Sequence, residues 1–230
     1  MRVFVRDLEG GMAGQNQMES SPIVLGDIVE QGVFYRFYSI QGVPHRWAKK
    51  MVGSRTKRYP FGLTITYPMW LYTRFKYGVS DMIQYEMQIS QTMPREIQSY
   101  FLQNQALGRT SGGESLLCAD RVLDWDGLPS QTLNRVGRVS NESFWRHVQV
   151  ICNELERHHI YLLGVFHGGN HVLVQRLSPN EWRPVLLDVV KSGRTLYPFQ
   201  VNLWLVSSVR TKFHRQLQRF RNRFMARPIA

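Results

Sequence analysis

The stretch that most constrains this chain runs over residues 160–189. An apolar segment leads into a loop that ends at Asn170, and an apolar strand follows from Val172. After a short polar turn, a second apolar strand ends at Asp188. Because a hairpin returns the chain to the end where it started, this order predicts that Asn170 and Asp188 lie close together. An Asn in front of an apolar strand is also typical of an ordinary turn, and that alternative stays open at this point.

Composition limits the class of protein. The chain has 230 residues, 43% hydrophobic and 12% aromatic, and can bury the core of one large domain or two small lobes. Its start lacks an apolar stretch of signal-peptide length, and no segment approaches the ~20 apolar residues of a membrane span. We therefore expect a soluble, cytoplasmic protein. The two cysteines, Cys118 and Cys152, allow neither a disulfide framework nor a cysteine zinc site, and both are expected in the core.

Positive charge is concentrated towards the C-terminal end. The formal net charge is +12, and no carboxylate follows Asp188. A second basic cluster lies over residues 46–58. Such charge attracts nucleic acid, acidic membrane headgroups or phosphorylated glycolipids without choosing among them, and a solvated face is the alternative. Nine basic side chains follow Asp188: Lys191, Arg194, Arg210, Lys212, Arg215, Arg219, Arg221, Arg223 and Arg227.

Hydrophobic periodicity predicts the main helices. A long helix is expected from Ser140 or Asn141, either of which suits an N-cap, to about His158. A helix is expected over residues 94–102, where Pro94 suits the first turn, and a helical stretch near residues 80–89. Apolar side chains recurring at steps of four, three and four predict a C-terminal amphipathic helix whose stripe packs on the body: Phe213, Leu217, Phe220 and Phe224.

Strand signals dominate the N-terminal half. Residues 34–38 and 46–51 alternate in the manner of strands around a turn at 41–44, which predicts a β-hairpin. A further strand is expected over residues 116–123, after a Gly-containing connector at 109–113. Strands that come first and helices that come later suggest two lobes.

Several segments resemble one bacterial family. The hinge-like segment 123–133 has the form D-x-D-G-x-x-S-x-T-L after a strand, and Asn170-His171-Val172-Leu173 and Leu187-Asp188 follow in the expected order. A further match is Gly193-Arg194-Thr195-Leu196-Tyr197-Pro198, which precedes a Trp-containing segment and a basic end. Together these segments resemble the YrbL family, the PhoP regulatory network proteins, whose fold is protein-kinase-like. The resemblance covers about residues 23–224.

The resemblance implies an α+β fold of two lobes in a minimal protein-kinase-like arrangement. Residues 1–22 are expected as a flexible N-terminal extension. Residues 23–123 are expected as an N-lobe with an antiparallel sheet and an αC-like helix. Residues 124–230 are expected as a mainly helical C-lobe that ends in the basic helix.

The resemblance also implies a site for ATP and Mg²⁺. Asn170 and Asp188 match the two metal-ligating positions of kinase-like folds, and their oxygen atoms suit a hard cation. The phosphate-binding lysine is expected at Lys50 rather than Lys49, because Ala48 and Lys50 share one face of a strand, as the corresponding alanine and lysine do in kinases. Its glutamate partner is expected at Glu96, with Glu86 as the alternative.

Departures from the kinase pattern accompany these matches. The phosphate-binding loop keeps one glycine, Gly32, and places Glu30 where a carboxylate would repel a triphosphate unless it were paired. The position of the catalytic base, five residues before Asn170, is Val165, which cannot accept a proton. His167 is a candidate substitute for that base or an anion contact, with a structural role as the alternative.

Two function classes follow from these observations. In the first, the chain is an atypical kinase-like phosphotransferase that passes phosphate from ATP to an unknown acceptor, an envelope glycolipid or a protein. In the second, it is an inactive pseudokinase that works as a regulatory or interaction module in envelope-stress or two-component signalling. Peripheral contact with an anionic membrane or lipopolysaccharide fits the charge. A nucleic-acid-binding role is disfavoured, because no recognisable base-reading motif is present.

Overall fold

The computed structural model describes residues 21–31, 35–58, 63–68, 70–71, 73–74, 81–162, 165–187 and 206–226. Gly32, Asp188 and most of the predicted extension 1–22 lie outside the described residues. His167 is described for its backbone only.

A five-stranded antiparallel sheet forms the N-terminal half, in the order β1-β2-β3-β7-β6. Its β2–β3 hairpin turns at Gly42, whose φ of 76° suits glycine, and this confirms the predicted hairpin. The strand predicted over 116–123 corresponds to β7, which ends earlier, at Asp120, and pairs with β3 in the centre of the sheet. The strands are β1 Leu25–Gln31, β2 Tyr35–Ile40, β3 Val43–Met51, β6 Ala106–Arg109 and β7 Ser115–Asp120.

A helix packs against this sheet. Helix α1, Met82–Gln91, begins at the N-cap Asp81, whose carboxylate accepts hydrogen bonds from the amides of Ile83 at 2.9 Å and Gln84 at 3.1 Å. Its buried Met82, Ile83 and Met87 form an apolar cluster with strands β2 and β7. Before it, β4 Ser54–Arg58 and β5 Thr64–Pro68 form a separate antiparallel pair.

The helix predicted over residues 94–102 is shorter than expected. Helix α2 covers only Arg95–Gln98. After Gln98 the chain extends, because Leu186 donates a hydrogen bond to the carbonyl of Tyr100 at 2.7 Å and pairs with Phe101 in a β-bridge. A tertiary strand contact therefore overrides the local helix signal.

The C-terminal half combines a small sheet with helices. Strands β8 Gln131–Thr132, β9 Val172–Arg176 and β10 Trp182–Leu186 form an antiparallel sheet in the order β10-β9-β8, which confirms the hairpin predicted over 160–189. The helices are α3 Leu133–Val136, α4 Glu142–Arg157 and α5 Val206–Phe224. Asn141 caps α4, as predicted, by accepting a hydrogen bond from the Phe144 amide at 3.2 Å.

The core of this half lies between α4 and α5. Phe144, Val148, Ile151 and Leu155 of α4 are buried. The predicted apolar stripe of α5, Phe213, Leu217, Phe220 and Phe224, is buried in the same cluster. The amphipathic helix expected from the sequence is therefore confirmed.

The two halves share a smaller apolar cluster. Phe37 and Trp47 of the large sheet pack with Leu173, Val185 and Leu187 of the hairpin. The protein is thus an α+β fold with an antiparallel N-terminal sheet and mainly C-terminal helices. Across the described residues, no helix combines the length and the apolar character needed to cross a membrane.

Candidate functional site

A cleft lies where the large sheet faces the β9–β10 hairpin. Its cavity measures about 330 Å³, at the lower end of the range usual for ligand sites. Val29 and Trp47 line it from the sheet, and Leu173 and Leu187 line it from the hairpin side. Residues 128–131, which follow the hinge, line a third side.

Lys49 lies buried beside this cleft. Its side chain is 1% exposed, and its ammonium donates hydrogen bonds to the Glu86 carboxylate and, at 2.7 Å, to the carbonyl of Leu187. The ring of Tyr35 covers it, with the ring centroid 3.9 Å from Nζ. A buried ammonium needs such partners, because removing a charge from water costs several kcal/mol. Strand β3, helix α1 and the end of the hairpin therefore meet at one charged group.

The sequence analysis expected Lys50 to pair with Glu96, but in the structure these two residues have other partners. Ala48 and Lys50 do share a face of β3, as predicted, but Ala48 packs with Ile23 and Cys118 on the face away from the cleft. Lys50 instead forms an ion pair at 2.6 Å with Glu114. The predicted alternation of β3 is confirmed, but Lys50 lies on the face away from the cleft, whereas Lys49 shares the face of Trp47, which lines the cleft.

Glu86, the alternative to Glu96 in the sequence analysis, is the glutamate that pairs with Lys49. Glu86 is 2% exposed and lies among the apolar residues of α1, whereas Glu96 lies on the short α2 and is 53% exposed. Arg157 binds Glu96 at 3.0 Å. A hydrogen bond from its own backbone is the main cause that lowers the pKa of Glu96, and Arg157 lowers it further.

Glu96 also belongs to a group of side chains whose ligand atoms are close enough together to hold a metal ion. Ligand atoms of Glu96, Glu154 and His158 lie within 4.8 Å of one another. Arg157, however, binds both carboxylates, at 3.0 Å and 2.7 Å. Its guanidinium already supplies the positive charge that these carboxylates attract, so the group is accounted for by a surface ion-pair network.

The loop that carries Asn170 is held by close backbone packing. Asn170 lies exposed in the 3-10 turn Gly169–His171, directly before β9. A Cβ atom on Gly169 would lie 2.6 Å from the Asn134 amide nitrogen and 2.8 Å from the Phe224 ring. A larger residue therefore cannot enter this position without a shift of backbone. The absence of a side chain at Gly169 lets helices α3 and α5 fix the loop.

The start of β9 meets the end of β10, as the hairpin predicts. The Leu187 amide donates a hydrogen bond of 2.9 Å to the carbonyl of His171. The residues paired here are the direct neighbours of Asn170 and Asp188.

The remaining predicted residues are placed as follows. Val165 is 1% exposed, in the 3-10 turn Val165–His167, so the position expected for a catalytic base is an apolar core residue. Glu30 lines the cleft and lies 3.4 Å from the guanidinium of Arg135 on α3. The repulsion that the sequence predicted for this carboxylate is therefore offset by a cation.

The aspartates of the hinge have a structural role. Asp124 accepts hydrogen bonds from the Ser130 hydroxyl at 2.6 Å and from the Arg176 amide at 3.0 Å. It also forms an ion pair of 2.5 Å with the Arg176 side chain, which Asp126 joins at 3.5 Å. These contacts attach the hinge to β9 and keep the cleft wall in place.

Two cleft residues were missed from the sequence. Trp47 Nε1 and Arg121 Nε are buried without a hydrogen-bond partner among the described residues, and both side chains line the cleft. Buried donors without acceptors are uncommon, because each costs about 1–3 kcal/mol. The sequence signal that could have identified Trp47 is the alternation of β3, which places Trp47 and Lys49 on the same face.

Comparison with known proteins adds no family. No protein-family model matches the chain, and a search of curated proteins gave no significant match. The resemblance to the YrbL family therefore stays a prediction that rests on the segments quoted above.

Proposed function

We propose that this chain is an atypical kinase-like protein that binds ATP and Mg²⁺ in the cleft and passes phosphate to an acceptor. The observation that carries the proposal is the buried pair of Lys49 with Glu86, extended to the carbonyl of Leu187. In kinase-like folds a strand lysine, fixed by a helix glutamate, binds nucleotide phosphates next to the metal-ligating aspartate. Here the next residue after Leu187 is Asp188.

The chemistry of the site suits these ligands. Asn170 and Asp188 offer amide and carboxylate oxygens, the ligand types that Mg²⁺ takes in proteins. Trp47 Nε1 and Arg121 Nε are donors in need of acceptors. A nucleotide carries acceptors on its base, sugar and phosphates. When bound, the metal would supply positive charge beside the phosphates, and Lys49 would add the protein's own.

Entry of a phosphate to Lys49 requires one movement. The ammonium is 1% exposed and lies under the Tyr35 ring, so a phosphate can contact it only after that ring moves outward. Tyr35 is the first residue of β2, directly after the segment that contains Gly32. We therefore assign Tyr35 to the opening of the phosphate end of the cleft.

The test is thermal unfolding with and without ATP and Mg²⁺. A ligand that binds only the native state stabilises it by ~2.7 kcal/mol at about 100 times its Kd. We expect this shift in the wild type and in Lys50→Met, which changes the outer face of the same strand. We expect no shift in the double variant Lys49→Met/Glu86→Leu, which removes both buried charges. A wild type without any shift removes the proposal.

Metal dependence is tested at the other end of the site. In Asp188→Asn the ligand-induced shift should fall towards the value that the wild type shows with ATP alone. An Asp188→Asn variant that keeps the full Mg²⁺-dependent shift would assign the metal elsewhere.

A second candidate function is nucleotide binding without transfer, as in a pseudokinase with a regulatory role. Val165 favours it, because this buried aliphatic side chain stands at the base position. Turnover of ATP by the saturated protein separates the two functions. Turnover that Asp188→Asn abolishes supports transfer, whereas a wild type no faster than Asp188→Asn supports binding alone.

A further inference from the structure

Helix α5 has three distinct faces. Its apolar face, formed by Phe213, Leu217, Phe220 and Phe224, is buried against the body. A second face contacts α4, where His214 lies 2.5 Å from Glu156 and Arg221 donates to Gln149. The third face points to solvent and carries a row of cations, which we name the basic row: Lys212, Arg215, Arg219 and Arg223.

The basic row is straight and narrow. Its members follow at steps of three, four and four residues, and all four are exposed. At 3.6 residues per turn these steps keep the four side chains within an arc of about 80°, and at 1.5 Å per residue the row is about 16 Å long. A flat surface can therefore touch all four side chains at the same time.

Acidic side chains of the described residues leave the basic row unneutralised. Helix α5 contains no carboxylate, and Glu156 is engaged by Arg210 and His214 on another face. Across the described part of the chain, no carboxylate forms an ion pair with any member of the row. The side chains beside it towards α4, Thr211, Gln218 and Asn222, are neutral and exposed. Four like charges held this close repel one another, and an anionic partner would relieve that repulsion.

We propose that the basic row docks this protein on an anionic phospholipid bilayer. A bilayer presents a plane of negative charge, which matches a straight row of exposed cations, and clusters of four or more Lys and Arg on a helix are typical of such contact. The apolar face of α5 is already occupied by the core, so the helix rests on the headgroups and does not insert. This inference is independent of nucleotide binding in the cleft.

Duplex nucleic acid is the competing partner for the same charges. The basic row has no aromatic side chain to stack on bases. Its arginines could reach guanine edges, but most contacts of such a row would be to phosphates. Such contacts have a signature, because the logarithm of affinity falls with the logarithm of salt with a slope of about −0.9 per phosphate neutralised. The experiment therefore includes both partners.

The test is co-sedimentation of the full chain with vesicles of phosphatidylcholine alone and of equal parts phosphatidylcholine and phosphatidylglycerol. We expect binding only to the anionic vesicles, decreasing with added salt. The variant with Lys212, Arg215, Arg219 and Arg223 all changed to Gln should lose on the order of 10³-fold in partitioning, since each cation near the surface contributes a factor of about five. Glutamine keeps the helix propensity, which circular dichroism verifies.

A matched control variant distinguishes an effect of the basic row from an effect of net charge. Arg74, Arg95, Arg109 and Arg146 are exposed cations on other parts of the chain, and changing these four to Gln gives the same net charge. The control should keep most of the vesicle binding. Equal loss in both variants, or no vesicle binding by the wild type, overturns the proposal. So does row-dependent binding to duplex DNA without binding to vesicles.

Discussion

The Lys49 ammonium donates a hydrogen bond to the Leu187 carbonyl at 2.7 Å, which joins the central strand of the large sheet to the end of the β9–β10 hairpin. The same ammonium is paired with Glu86 of α1. Three elements far apart in sequence are thus positioned by one side chain. Changes at Lys49 should affect stability and the cleft together.

The first prediction concerns removal of this charge. Lys49→Met leaves the Glu86 carboxylate buried without its cation, and breaking such a pair costs about 3–5 kcal/mol. We expect a loss of that size in the free energy of unfolding, measured by urea titration. Lys49→Met/Glu86→Leu should recover most of it, because no uncompensated charge is left.

Lys50→Met is the matched control for this prediction. Lys50 pairs with Glu114, whose side chain is 54% exposed, and exposed pairs contribute about 0–1 kcal/mol. We expect its free energy of unfolding to stay within about 1 kcal/mol of the wild type. Equal losses at Lys49 and Lys50 would contradict the assigned faces of β3.

The choice between these neighbours shows what the sequence could and could not predict. Trp47 and Ala48 are both buried, because β3 lies between an apolar cluster on the cleft side and another on the outer side. Alternation therefore separates the two faces but does not identify the cleft. For Glu86 a signal existed, since it lies in phase with Met82, Ile83 and Met87 on one buried face of α1. A glutamate inside an apolar stripe predicts a buried partner.

The second prediction concerns the packing of the Asn170 loop. Gly169→Ala places a Cβ atom 2.6 Å from the Asn134 amide nitrogen, so the backbone must shift, at a cost of about 1–3 kcal/mol. We expect a lower melting temperature and a weaker Mg²⁺-dependent effect of ATP. Gly168→Ala is the control, because a Cβ there meets nothing within 4 Å and its φ is −159°. A Gly168→Ala variant as unstable as Gly169→Ala would refute the packing argument.

The third prediction concerns the unpaired indole in the cleft. Trp47→Phe removes a buried donor that has no described partner, and the smaller ring loses some packing, so the two effects on stability oppose each other. We expect a change in the free energy of unfolding within about 1 kcal/mol, together with weaker ATP binding. By comparison, Trp145 Nε1 donates to the Val139 carbonyl at 2.9 Å. Trp145→Phe should cost more, about 1–3 kcal/mol. Urea titrations of both variants make the comparison.

The fourth prediction concerns alkaline pH. Burial raises the pKa of the Cys152 thiol from 9.0 to about 12. Above pH 9 the unfolded chain loses this proton while the native chain keeps it, so stability falls as pH rises. At about pH 10 the loss from this group should be about 1.4 kcal/mol, measured as the difference in unfolding free energy from pH 7. In Cys152→Ala, which is less stable overall, that part of the pH dependence should disappear. An unchanged pH dependence in this variant would assign the effect to other groups.

Helical elements were more predictable than the site. The stripe of α5 and the N-cap of α4 follow from local periodicity and capping chemistry, and the structure has both. The helix at residues 94–102 failed because Tyr100 and Phe101 bond to Leu186, a partner distant in sequence. Trp47 and Arg121 could not be assigned to the cleft from the sequence either, because their place in it depends on the facing hairpin, which is distant in sequence.

The contact of Gly169 with the ring of Phe224 has a consequence for synthesis of the chain. Residues 165–187 leave the ribosome before residues 206–226, which cover them. Until α5 is made and folded, the turn that carries Asn170 lacks the ring against which it packs. The segments that carry Lys49 and Glu86 are made earlier, but the turn that carries Asn170 can reach its final packing only after the helix is in place.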